Sequence, residues 1–292
     1  MSTIVPDQQG SSALTNQMAA PAQPDLARET EGLVLPRQTA WSRNQDVILG
    51  ALGVVLMLLA WELSVDVGLV RPNWVSSPLR ILAMIPTVIF QDNIFAQLRI
   101  SATEFFWGFG LSVLIGVPFG ILSGWYRPVR ALTEPIVSAL FATPTVALVP
   151  ILILIFGIEE PSKAAVVFLS AVWPISINTA AGIQVLDRGL LDAARTFGAT
   201  DTRIFRTIGL PATIPFIIAG LRTSVARGLV GVVVGELYAS KGGIGFYLNR
   251  AGQTFQTDKY YVAVVIIALT GVLFTFLLHK LERHFARWRV AR

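Results

Sequence analysis

The chain has 292 residues, of which 53% are hydrophobic and 14% charged, with a mean hydropathy of +0.63; soluble domains carry about 25% charged residues, so a bilayer is the expected solvent. The formal charge of +5 and isoelectric point near 9.9 do not describe a nucleic-acid surface, because the basic residues flank apolar stretches instead of clustering with aromatics. With no cysteine, disulfides, thiolate metal sites and cysteine nucleophiles are excluded.

Residues 1–42 contain Pro6, Pro21, Pro24 and Pro36 among many Ser, Gln and Ala, with mixed charges at Asp25, Arg28, Glu29 and Glu31. No apolar run follows a basic start, so a flexible tail is expected and not a cleaved signal peptide.

A membrane-spanning helix needs about 20 mainly apolar residues. Six stretches qualify, at 47–65, 101–125, 135–157, 164–183, 213–237 and 260–281, which predicts an all-α integral membrane protein. The first lies in a segment 43–100 that also holds a short amphipathic stretch: Ser77 and Pro78 precede a run with Leu79, Ile81, Leu82, Met84, Ile85, Val88 and Ile89. This reads as a helix on the membrane surface or on the bundle; a partly buried re-entrant segment fits equally well.

The core is expected over 101–281. Its first span carries Gly116, Gly120 and Gly124 at the four-residue spacing that lets helix backbones approach closely in lipid, and packing within the chain is favoured over a dimer face. Pro118, Pro144, Pro150 and Pro174 fall inside spans, where proline removes a backbone hydrogen bond and kinks the helix. Kinked spans suit a bundle around a pathway.

With an inward amino terminus, one side carries Arg28, Arg37, Arg43, Arg127, Arg130, Arg188, Arg195, Arg203, Arg206, Lys280, Arg283, Arg287, Arg289 and Arg292. The other carries Arg71, Arg80, Arg99, Lys163, Lys241, Arg250 and Lys259. This bias predicts both termini, and the loop before the 213–237 span, on the cytoplasmic side.

That loop is polar. Asp187 suits a helix N-cap, LLDAARTF over 190–197 is a good helix former, and Gly198 a natural stop. Asp201 would cap a second short helix through Ile208, ended by Pro211. Ala193 and Ala194 would let another surface come close, with Phe197 and Phe205 as aromatic anchors.

The 213–237 span contains Arg222, Arg227 and Glu236, costly in a bilayer unless paired or hydrated. At about 100° per residue, Glu236 lies about 40° from Arg222 around the helix and about 180° from Arg227, so the three cannot share one cavity. Arg222 and Glu236 are expected to face the interior or a dimer interface, with Arg222 attracting an anion; snorkelling of Arg222 and interhelical ion pairs for the others form the plainer alternative. Lys241, Gly242, Gly243 and Gly245 mark an outer turn, either plain or in contact with a partner. The basic tail at 282–292, with Phe285, Trp288 and Val290, suits anionic headgroups or a solvated helix end.

The spacing Asp192-Ala193-Ala194, Gly198, Ile208, Leu210-Pro211 resembles the EAA loop of ABC importer permeases, over 187–211, with Asp in place of the usual Glu. FGIEEPSK at 156–163, INTAAGI at 177–183 and GLR at 220–222 resemble the branch that moves nitrate, taurine and alkanesulfonates. The resemblance covers about 43–289. It implies a type I (MetI-like) importer domain in a bacterial inner membrane, whose Asp192, Ala193, Ala194, Phe197, Gly198, Phe205, Ile208, Leu210 and Pro211 form a coupling helix and its flank. It further implies a second permease copy, two ATPase subunits that bind ATP and magnesium, and a substrate-binding protein outside the cell; no cofactor is expected in this chain. The absence of a GxxxxGK[ST] loop fits an energy source in another subunit. The same resemblance implies a small anion as cargo, with neutral heterocycles the alternative, and selectivity in the binding protein.

A stand-alone secondary transporter would leave the EAA loop unexplained and should show an internal repeat, which is not evident. An intramembrane enzyme would need a nucleophile or metal motif. HExxH and GxSxG are absent, and His279 and His284 are spaced i, i+5, off one helical face.

Overall fold

The computed structural model describes residues 40–71, 74–238 and 240–285. The tail expected over 1–42 lies outside them except for its last three residues, and only 282–285 of the basic tail is described. The chain divides into two units at Leu56 and Met57, within the first helix, α1 (Ala40–Asp66). In the first unit the described part is the opening of that helix, an apolar run in line with the expected first span.

In the second unit every described element is a helix. Glu62, near the end of α1, caps the next helix, α2 (Pro78–Phe90): its carboxylate accepts from the Ser77 hydroxyl at 2.8 Å and from Leu79 N–H at 2.9 Å. Pro78 occupies the first turn, where its missing N–H costs nothing. The apolar face of α2 settles the choice left by the sequence. Ile81 and Val88 are buried with Ile244, Leu248, Val262 and Ala263, so α2 packs on the bundle.

Three long helices form the centre. Helix α3 (Ile94–Trp125) and a later helix, α9, both pack along α6 (Glu160–Gln184), the most buried of the apolar helices. The α3 glycines do what their spacing predicts, within the chain. A Cβ on Gly120 would lie 2.6 Å from Ser176 O of α6, and one on Gly124 3.0 Å from Ala180 O. Ser112 Oγ bridges the same seam to Phe168 O at 3.1 Å.

The expected third span is not one straight helix. Residues Arg127–Ala142 form α4 and Thr145–Phe156 form α5, bent by 95° at the break. Pro144 has no N–H to continue α4 and forces the preceding residue out of the helical region, and Thr143 adopts φ −71°, ψ 126°. Five described helices are long and apolar enough to cross a bilayer, or six if α4 and α5 count as one broken span.

After α6 come α7 (Arg188–Thr196) and α8 (Asp201–Ile204); α8 runs through a wide π-type turn at Phe205–Gly209 into α9 (Leu210–Tyr238). A short helix, α10 (Ile244–Gln253), and the apolar α11 (Thr257–Phe285) complete the fold. Across α9 a second stripe of small residues, unremarked in the sequence, faces α6: Gly220 against Asn178, Ser224 donating to Ala171 O at 2.9 Å, and Gly231 against Ser170.

Candidate functional site

The polar loop stands at the end of the bundle where α6 stops and α9 begins. Asp187 caps α7 by accepting from Gly189 N–H at 2.8 Å, and Gly198 ends the helix region with φ +78°, a conformation that favours glycine. Thr200, not Asp201, caps α8, its hydroxyl accepting from Arg203 N–H at 3.4 Å. Asp201 instead joins a cross-helix ion pair: Arg195 reaches Asp192 at 3.0 Å and Asp201 at 3.3 Å, fixing the angle between α7 and α8. Both pairs are exposed and worth at most about 1 kcal/mol each, so they set geometry more than stability.

Two expectations for this loop change. Pro211 does not end a helix; it sits in the opening turn of α9, where a missing N–H is tolerated, and the wide turn before it keeps the chain helical from Asp201 to Tyr238. Phe205 is not a free anchor either. Its ring meets Trp125 of α3 edge-on, with centroids 5.2 Å apart, and ties the loop to the bundle. Phe197 is 91% exposed. Asp192 and Ala193 lie on the exposed side, with Ala194, Ile208 and Leu210 half-buried.

At the far end of α9, Glu236 is buried inside the bundle: it is 1% exposed, and its carboxylate accepts from Gly245 N–H at the start of α10. Gly243 N–H donates to Gln97 Oε1 at 2.7 Å and Ile244 N–H to Ser101 Oγ at 2.8 Å. Three donors that a helix start leaves without internal partners are thus satisfied by side chains of α3 and α9. Helical-wheel angles could not show this, because the partner is the opening turn of the next helix, α10.

Two buried ionisable residues beside Glu236 escaped notice in the sequence. Glu104 of α3 is 1% exposed and lies close enough to Glu236 for the two carboxyl groups to interact electrostatically. Lys163 of α6, counted above among loop residues, is 3% exposed and donates to the carbonyls of Ile158 and Glu159. The available signal was Glu104 itself, an acid inside an otherwise apolar span.

Outside the spans, Asp92 accepts from Tyr247 Oη at 2.7 Å and pairs with Lys259 at 2.8 Å. Burial pushes the Asp92 carboxyl upward, but the hydrogen bonds from Lys259 and Tyr247 and the Lys259 charge outweigh it and hold it below its ordinary value. A carboxyl lowered in the folded state stabilises fully above its unfolded pKa of about 3.9, and that contribution is lost as pH falls through the folded value. Asp92→Asn is therefore expected to cost about 1.5–3 kcal/mol at neutral pH and to flatten the acid limb of a melting-temperature profile. An acid limb identical to wild type would contradict this assignment.

Of the other two ionisable residues of α9, Arg222 is half-buried and Arg227 exposed. Arg227 lies over the Phe141 ring, 4.5 Å from its centroid, beside a cavity of about 310 Å³ between α5, α6 and α9.

The family model for binding-protein-dependent transport system inner membrane components matches residues 116–289. SsuC of Escherichia coli, a transport permease protein named for aliphatic sulfonates, is 32% identical over 235 residues, covering 80% of this chain and 89% of that protein. The taurine transport system permease protein TauC of Escherichia coli is 27% identical over 253 residues, covering 85% and 92%. Among solved structures, the inward-facing MetNI methionine ABC transporter aligns with a TM-score of 0.54 at 19% identity, over 70% of this chain and 98% of that one, which shows a shared fold. The chain belongs to the family of binding-protein-dependent transport system inner membrane components and is an ABC-transporter permease subunit.

Proposed function

We propose that this subunit imports a small organic anion, taking its work from a separate ATPase through the polar loop. The observation that carries the coupling role is Phe197, 91% exposed at the apex of a loop that is otherwise capped, ion-paired and tied to Trp125. A large aromatic held in water on a rigid support is the typical anchor of a protein interface. Asp192 and Ala193 lie on the same exposed helix, so a groove in the ATPase would receive α7, with ATP and magnesium bound in that partner. In this reading the loop and both termini are cytoplasmic, a second copy of the chain completes the pathway in the bacterial inner membrane, and a binding protein delivers cargo to the opposite end. The names of the relatives favour a sulfonate or taurine as the cargo.

Phe197→Ala is expected to weaken assembly with the ATPase by about 2 kcal/mol, roughly thirtyfold, with the melting temperature of the permease unchanged. Co-purification at graded dilution and ATP-driven taurine uptake in proteoliposomes measure it. Full assembly and uptake by both Phe197→Ala and Phe197→Asp would overturn the coupling role.

A further inference from the structure

Arg227 occupies a position that the coupling mechanism does not use. It stands 11 residues before the far end of α9 at Tyr238, about 16 Å along the helix at 1.5 Å per residue. Half of a hydrocarbon core is about 15 Å, so with the helix end at Tyr238 placed at the hydrocarbon edge Arg227 lies near mid-membrane, too deep to snorkel to either headgroup layer. Its side chain is exposed, and among the described residues it forms no ion pair; its contact is the face of Phe141. A bare guanidinium in hydrocarbon is costly, and water or an anion beside it offsets that cost.

The adjoining cavity meets that need. Its walls are Val146, Val166, Val230 and Val234, with the hydroxyls of Thr145 and Ser170 as polar groups and no acidic side chain in the lining. Ser170 Oγ already donates to Val166 O at 2.8 Å. The Thr145 hydroxyl and Arg227 are then the side-chain donors of the cavity. Phe141 fixes the plane of the guanidinium while leaving its N–H edge for a ligand. At about 310 Å³ the space lies at the small end of ligand cavities.

We infer that this cavity is an anion-selecting subsite of the translocation pathway, taking an oxyanion head such as a sulfonate or carboxylate on Arg227 and a short apolar tail against the valines. It rests on the permease reading and moves the anion contact from Arg222, where the sequence suggested it, to Arg227. Arg227 and Glu236 lie about 180° apart around the helix, and that separation keeps the site free of a neutralising acid.

The chain holds no cysteine, so Val230→Cys carries a single thiol one helical turn from Arg227. The full-length permease with its ATPase subunits, in lipid nanodiscs, is treated with 2-sulfonatoethyl methanethiosulfonate or its trimethylammonium analogue. In each case the thiolate forms a mixed disulfide and releases methanesulfinate. Rates are normalised to those with free 2-mercaptoethanol. A single cation focused by low-dielectric walls raises local anion concentration at least about tenfold. The sulfonate reagent is therefore expected to be favoured about tenfold, with the ratio falling to one in Arg227→Gln and partly kept in Arg227→Lys. Val146→Cys, on the α5 wall, serves as a second reporter should Val230→Cys misfold. A preference unchanged by Arg227→Gln, or no labelling at either position, overturns the subsite. Those outcomes leave assembly with the ATPase intact, whereas failure of the permease reading appears as loss of ATP-driven uptake by the unmodified chain.

Discussion

Gly243→Ala is expected to unfold the α10 end of the bundle, at a cost of about 3 kcal/mol or more. Two effects add. Gly243 has φ +101° and ψ 168°, a region open essentially to glycine alone, and forcing a side chain there costs about 1–3 kcal/mol. The new Cβ would also lie 2.3 Å from the carboxyl carbon of Glu236. That carboxylate has little room to retreat, because it is buried at 1% exposure and held by Gly245 N–H. Thermal unfolding in detergent and protease cutting near residues 240–245 measure the loss. Gly242→Ala is the control: its Cβ would meet Ile100 Cδ1 at 2.7 Å, the far end of a flexible side chain, and Gly242 has no positive φ. Near-wild-type stability for Gly243→Ala would show that the α10 cap is dispensable.

Gly108→Leu is expected to separate α3 from α6. A Cβ there would fall 2.3 Å from Ala164 O and 2.6 Å from Val167 Cβ, both on the buried central helix. Overpacking of this kind typically costs about 1–3 kcal/mol, and lipid offers no hydrophobic force to push the helices back together. A drop of that size in unfolding free energy, with aggregation on size-exclusion chromatography, is the expected result. Gly110→Leu, two residues along, meets nothing within 4 Å and should behave as wild type. Equal behaviour of the two variants would remove the close-packed seam as a source of stability.

Composition and hydropathy were enough to read a helical bilayer protein, and short-range chemistry located the cap at Asp187. These features depend on neighbours within a few residues. The misses depend on distant ones. Pro144 was read as a kink, but whether a proline bends a helix or breaks it follows from what packs around the freed carbonyls, and here the chain turns by 95°. Phe205 looked like an anchor because its partner, Trp125, is 80 residues away and on another helix. The partner of Glu236 was not legible because a wheel diagram contains one helix, and the N–H that satisfies its carboxylate belongs to Gly245 on the next one. The spacing from Asp192 to Pro211 was informative for the opposite reason: its residues lie within one continuous stretch of chain.

From Asp201 to Tyr238 the chain is one unbroken helical rod of 38 residues, about 57 Å long at 1.5 Å per residue. Its lower tip belongs to the loop that carries Phe197, its upper tip is clasped to α10 through Glu236, and Arg227 lies between. A stiff rod has a lever's geometry. Tilting it by about 10° around its middle would carry its two tips about 5 Å in opposite directions, a displacement of the size by which packed helices ratchet past one another. A push at one tip would therefore be felt at the other as motion of α10, with Arg227, about 11 Å from the middle, moving only about 2 Å.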